Sequence, residues 1–208
     1  LPNIDVKPLE QFNISRNRPF VMLSSLIFYF IDFKESYLKF HPVQRTDIKL
    51  NSKKMYCGIS WRSFNERLGN AKSIRIEDIE KNINLKKFSS INLQYYEDEN
   101  LLKRNYKMAF FNEVNIDALN DLEGLFYTVS RCNLIITVSN SLAHIAGILG
   151  IKTALIIPKK EYKLWYWDHQ TSDKQSILYP SIKVFECENQ RGLEDIFKNI
   201  NLFIDANF

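Results

Sequence analysis

The stretch Leu134–Pro158, LIITVSNSLAHIAGILGIKTALIIP, decides the fold of this chain. It opens on LIITV, an almost continuous apolar run of the kind found in strands covered on both faces. Ser139, Asn140 and Ser141 follow, and any of them can cap a helix through its side-chain oxygen. Leu142, Ile145, Ala146 and Leu149 recur at i, i+3, i+4 and i+7, which predicts a helix over Ser141–Leu149 with that stripe against a sheet. Gly150 stands where a helix C-terminal glycine belongs, and TALIIP then resumes the apolar pattern. Strand, helix and strand at this spacing form a parallel pair joined by a right-handed crossover. At about 100° per residue, His144 falls away from the stripe, beside Ala143 and Gly147, so it is no simple member of the sheet-facing core.

The same grammar extends to either side. MYCGIS (Met55–Ser60), SSINLQ (Ser89–Gln94) and IKVFEC (Ile182–Cys187) read as further strands. Asp121 is placed to cap a helix through Ser130, with Leu122, Leu125, Phe126 and Val129 on one face. Ile74, Ile76, Ile79 and Ile83 are partly helix-spaced, Glu97–Tyr106 reads as a charged surface helix, and a last helix starts near Gly192. Alternating strands and helices predict an α/β fold with a parallel sheet wrapped by helices on both faces. Residues 1–45, with Pro2, Pro8, Pro19 and an aromatic-rich run, read as the tail of a preceding half and a connector. Residues 46–188 read as the α/β domain and 189–208 as the carboxyl-terminal helix.

Composition narrows the function. Of 208 residues, 45% are hydrophobic, enough for a real core. Lys and Arg exceed Asp and Glu only by 28 to 24, with no basic block, so a nucleic-acid partner is not expected. Cys57, Cys132 and Cys187 lack the spacing of a metal site or disulfide framework, which suits a reducing, cytoplasmic setting. PFVMLSSLIFYFIDF is too short for a transmembrane segment and lacks the flanks of a signal peptide. No Gly-x-Gly-x-x-Gly follows any strand, which argues against a dinucleotide oxidoreductase.

Candidate ligand residues follow from the topology. In an open parallel sheet, ligands gather at the carboxyl ends of strands, and a helix start there favours phosphate. Ser139, Asn140, Ser141 and His144 lie at such a turn, and Arg62 directly follows a strand end. The structural alternatives are a plain capping turn, a solvated arginine and a histidine bonded to backbone.

At this point the residues resemble a family. ITVSNSLAHIAGILGIKTALIIP is similar to the signature of glycosyltransferases related to the heptosyltransferases (family nine), and closer to that of the TPR-linked bacterial glycosyltransferases similar to O-GlcNAc transferases. CGISWRS (57–63), KSI (72–74), INLQ (91–94) and YKLWYWDHQTSDKQSILYPSIKVFEC (162–187) resemble further family elements in one colinear order, from about Pro19 to about Cys187.

The resemblance implies the Rossmann-like, nucleotide-binding half of a GT-B fold. It implies metal-independent transfer of a sugar from a nucleotide-diphosphate sugar, with no other cofactor, to the hydroxyl of an acceptor glycan, lipid-linked sugar or protein. The substrate-binding set it implies is Ser60, Trp61, Arg62, Lys72, Gln94, Ser139, Asn140, Ser141, His144 and Trp165. Tyr162, Tyr166 and Trp167 join Trp165 as candidates for stacking on a base or sugar, a role that aromatic clusters take less often than core packing.

Three departures stand out. Ser139 replaces the usual acidic residue, Arg62-Ser63 replaces a glycine, and Lys159, Lys160 and Lys163 stand in for other residues of the Trp-rich loop. The half that supplies acceptor site and general base is largely absent, and a start at Leu1 rather than Met fits a piece of a longer two-domain protein. Asp32, Glu35 and His41 lie in the connector, but their spacing singles out none as a base. The alternative function is a non-catalytic nucleotide- or sugar-binding module, or a protein-interaction module docking through its aromatic loop.

Overall fold

A computed structural model describes residues 42–65, 67–95, 116–187 and 192–208. The chain divides into two compact units, Leu1–Glu35 and Ser36–Phe208, and every described residue belongs to the second. The connector residues Asp32, Glu35 and His41, and the charged segment Glu97–Tyr106, lie outside the described residues.

Apolar runs form the strands. They are β1 (Tyr56–Ser60), β2 (Ser89–Asn92), β3 (Leu134–Val138), β4 (Thr153–Ile157) and β5 (Ile182–Glu186). Every residue of β1, β3 and β4 is buried, as expected for strands sandwiched between layers. The five strands pair in the order β2-β1-β3-β4-β5, and every pairing is parallel. Ser60 aligns with Thr137, so the carboxyl ends of β1 and β3 are level. Between these two strands the order reverses, because the chain leaves β1 toward β2 and returns on the other side at β3. This is an α/β, Rossmann-like sheet.

Among the described residues the α-helices are α1 (Gly69–Lys72), α2 (Ile76–Asn82), α3 (Leu122–Ser130), α4 (Ser141–Ile148) and α5 (Leu193–Asn207). Asp121 caps α3, its carboxylate accepting from Gly124 N at 2.9 Å. Gly150 ends α4 with φ +69°, where a Cβ would be strained. Its N–H bonds Gly147 O, and Ile151 N bonds Ala146 O, which together satisfy the last carbonyls of the helix.

Two layers result. Cys57, Ile59 and Trp61, alternating along and just beyond β1, face α2 and α5 together with Leu134, Ile136, Val138 and Ile156. On the opposite side, Leu125 and Val129 of α3 pack with Leu142, Ile145 and Ala146 of α4 against Tyr56, Ile91 and Ile135. The α4 stripe is thus buried as its spacing predicts, with Leu149 half-buried at its end. Helix α5 drives Ile196, Phe197, Ile200 and Ile204 into the first layer, so it belongs to the same unit as the sheet. Among the described residues, no helix is long and apolar enough to cross a membrane.

Candidate functional site

The carboxyl ends of β2, β1 and β3 are tied together by side-chain amides. Gln94, 7% exposed, accepts at Oε1 from Trp61 N (2.9 Å), Arg62 N (2.8 Å) and Ser60 Oγ (3.1 Å). Its Nε2 donates to Tyr95 O at 2.8 Å and Arg62 O at 3.3 Å. Asn140, the α4 cap, donates from Nδ2 to Ser60 Oγ (2.8 Å) and Arg62 O (3.2 Å). Its Oδ1 accepts from Leu142 N at 3.0 Å and Thr137 Oγ1 at 3.1 Å. Ser60 therefore sits inside a closed network, donating to Gln94 and accepting from Asn140. These three polar side chains hold the loop 61–63 in place, with all of their donor hydrogens already engaged. Trp61 likewise buries its ring in the α2–α5 layer.

What the network positions is basic. The loop after β1 returns on itself: Ser63 N donates to Ser73 Oγ (3.0 Å), and Ile74 N to Trp61 O (3.0 Å). Lys72 immediately precedes the two residues that bond this loop, a placement that the intervening sequence does not specify. The residue is only 6% exposed and has no ion-pair partner among the described residues. Burial pulls its pKa below the ordinary lysine value. Arg62 lays its guanidinium over the Phe64 ring, 5.0 Å from the centroid, and forms no ion pair among the described residues. Beside Trp61 and Arg62 opens a cavity of about 480 Å³, lined also by Ser73, Glu77 and the Arg75–Asp78 ion pair. Ser141, the first residue of α4, is exposed, with its backbone N–H among those a helix start leaves without an intrahelical partner.

The Trp-rich loop closes the other flank of α4. Trp167 is fully buried and donates from Nε1 to Ser139 Oγ at 3.0 Å. Ser139, 5% exposed, thus serves as an acceptor for an indole, a task that needs no carboxylate. His144 stacks on Trp167 with ring centroids 5.1 Å apart and planes at 24°, and meets Tyr166 edge-on at 5.2 Å. Its Nδ1 lies 3.2 Å from the Tyr179 hydroxyl. Burial lowers the His144 pKa, which favours the neutral ring. Trp165 stays half-buried, in edge contact with Tyr166 and His169.

The loop's lysines do not act alike. Lys163 binds Glu186 at 2.6 Å and Asp168 at 2.7 Å, while Lys174 binds the other Glu186 oxygen at 3.0 Å. Burial works against the charge on Glu186, but the two lysines prevail and its pKa is lowered. Lys163, committed to this buried clasp, is not a free cation at the loop; Lys159 lies near the Tyr162 ring at 6.0 Å.

Sequence reasoning gathered Ser60, Arg62, Gln94, Asn140 and Ser141 at one edge, and the structure joins the first four by hydrogen bonds. Tyr179 and Ser73 were not singled out. The Tyr-Pro turn at 179–180 and the Lys-Ser-Ile run at 72–74 carried the signal for both. Comparisons with family models, curated proteins and solved structures return no match to this chain.

Proposed function

We propose that this chain is the donor-binding part of a metal-independent glycosyltransferase, taking a nucleotide-diphosphate sugar at the carboxyl edge between β1 and β3. The observation that carries the reading is a pair of cations, Lys72 and Arg62, without carboxylate partners among the described residues, the second tied through its carbonyl to Asn140, the cap of α4. A buried ammonium is costly unless an anion joins it. A diphosphate would supply that anion, and the helix start would add its free amides and partial positive charge.

In this role Lys72, Arg62 and the Ser141 amide and hydroxyl hold the diphosphate and stabilise the charge that grows on it as the glycosidic bond breaks. His144, neutral and in the first turn of α4, donates a hydrogen bond to a phosphate or sugar oxygen. Gln94, Asn140, Ser60 and Trp61 act as scaffold for the loop that carries the cations. Trp165 offers a half-buried ring for stacking on a base or sugar. The acceptor hydroxyl's proton goes to a base that the described residues do not supply.

Calorimetric titration with uridine, adenosine and guanosine diphosphates tests this. One of the three should bind, and Arg62→Ala with Lys72→Met should weaken it at least about 30-fold, the equivalent of about 2 kcal/mol. Binding to none of them, or equal binding by the double variant, overturns the reading. Donor hydrolysis by the protein would favour an enzyme over a binding module.

A further inference from the structure

The residues His144, Gly147 and Tyr179 form a unit. A Cβ at Gly147 would come within 2.4 Å of the Tyr179 ring, so the glycine is what lets the ring lie against α4. Residues three apart on a helix are surface neighbours. A ring seated over Gly147 therefore reaches His144, and its hydroxyl stands 3.2 Å from Nδ1. The imidazole is held on its other sides by Trp167 and Tyr166. Trp167 is itself fixed through Ser139. No charged side chain is among the hydrogen-bond or ring partners of His144 within the described residues.

A neutral imidazole carries one proton, on Nδ1 or on Nε2, and the partner of one nitrogen decides the state of the other. Phenol is the stronger acid of this pair and imidazole the stronger base, so the Tyr179 hydroxyl donates and Nδ1 accepts. We infer that Tyr179 is a positioning residue: it fixes His144 as the Nε2–H tautomer and thereby turns Nε2 into a hydrogen-bond donor for a ligand oxygen. Nε2 has no hydrogen-bond partner among the described residues, so this donor is available. That the oxygen belongs to a diphosphate or its sugar rests on the proposed function; the tautomer does not.

Long-range proton–nitrogen correlation spectra of ¹⁵N-histidine-labelled protein test the inference, with His144→Gln identifying the signal among the three histidines. The wild type should show His144 protonated at Nε2 alone between pH 7 and 8. Tyr179→Phe keeps the ring and removes the hydroxyl, and should give the averaged pattern of a mixed tautomer. Gly147→Ala, which displaces the ring, should give the same change with the hydroxyl still present. An Nδ1-protonated His144 in the wild type overturns the inference, as does a Tyr179→Phe spectrum identical to the wild type's. Where wild type binds a nucleoside diphosphate, Tyr179→Phe should bind it about 5-fold more weakly. A tautomer that depends on Tyr179 in a protein that binds no diphosphate would support the inference and defeat the proposed ligand.

Discussion

The two sides of the sheet's carboxyl edge are built from different materials. Between β1 and β3, where the strand order reverses, neutral amides make the ties: Gln94 and Asn140 bond backbone and Ser60 with every polar atom used. Beside β4 and β5, a carboxylate between two lysines and a stack of aromatic rings do the equivalent work. The difference has a physical consequence. Neutral ties leave Lys72 and Arg62 without a carboxylate partner among the described residues, whereas near β5 Lys163 and Lys174 are already answered by Glu186 and Asp168. The first region lies where the strand order reverses, the place where open α/β sheets bind ligands.

Breaking the amide network should have the largest effect. Gln94→Ala would leave the Trp61 and Arg62 amides without their acceptor in a buried place, costing about 4 kcal/mol in urea unfolding. Gln94→Glu should be nearly as harmful, since its second oxygen would face the carbonyls of Arg62 and Tyr95 that now receive Nε2.

The charged side should respond less, and with a pH signature that the amide side lacks. Glu186→Gln should cost about 2–3 kcal/mol near pH 7, reduced from a fully buried pair because Lys174 is partly in water. The folded-state pKa of Glu186 lies below its ordinary 4.5, so its contribution is present above pH 4.5 and is lost as pH falls through the folded value. Melting temperatures of wild type and Glu186→Gln should therefore converge on acidification, while the deficit of Gln94→Ala stays constant over the same range.

The smallest effect separates ring packing from ionic ties on that same side. Gly147→Ala drives a methyl group into the Tyr179 ring and should cost about 2 kcal/mol without any pH dependence. A cost that rose or fell with the titration of Glu186 would mean that rings and clasp move as one body.

The contrast also separates what was legible from what was not. The strand and helix positions follow from local periodicity: LIITV, TALIIP and the Leu142–Leu149 stripe each encode their element within a few residues. Asp121, Asn140 and Gly150 mark helix ends by chemistry that acts over two or three residues. The edge itself was legible too, since turns after parallel strands must gather there.

The division of labour at that edge was not. Gln94, Asn140 and Arg62 look alike in sequence as polar residues after strands, yet the first two are consumed by bonds across 32 and 80 residues of chain. Lys163 and Lys72 look alike in sequence; one meets a carboxylate 23 residues away and the other meets none that is described. The pattern of residues thus determined which elements form and that they stack as a parallel α/β sheet, because propensity, capping and burial are decided locally. Which polar groups are spent on the protein and which are left for a ligand was decided only by tertiary structure, because a hydrogen bond or ion pair depends on distance in space and not along the chain.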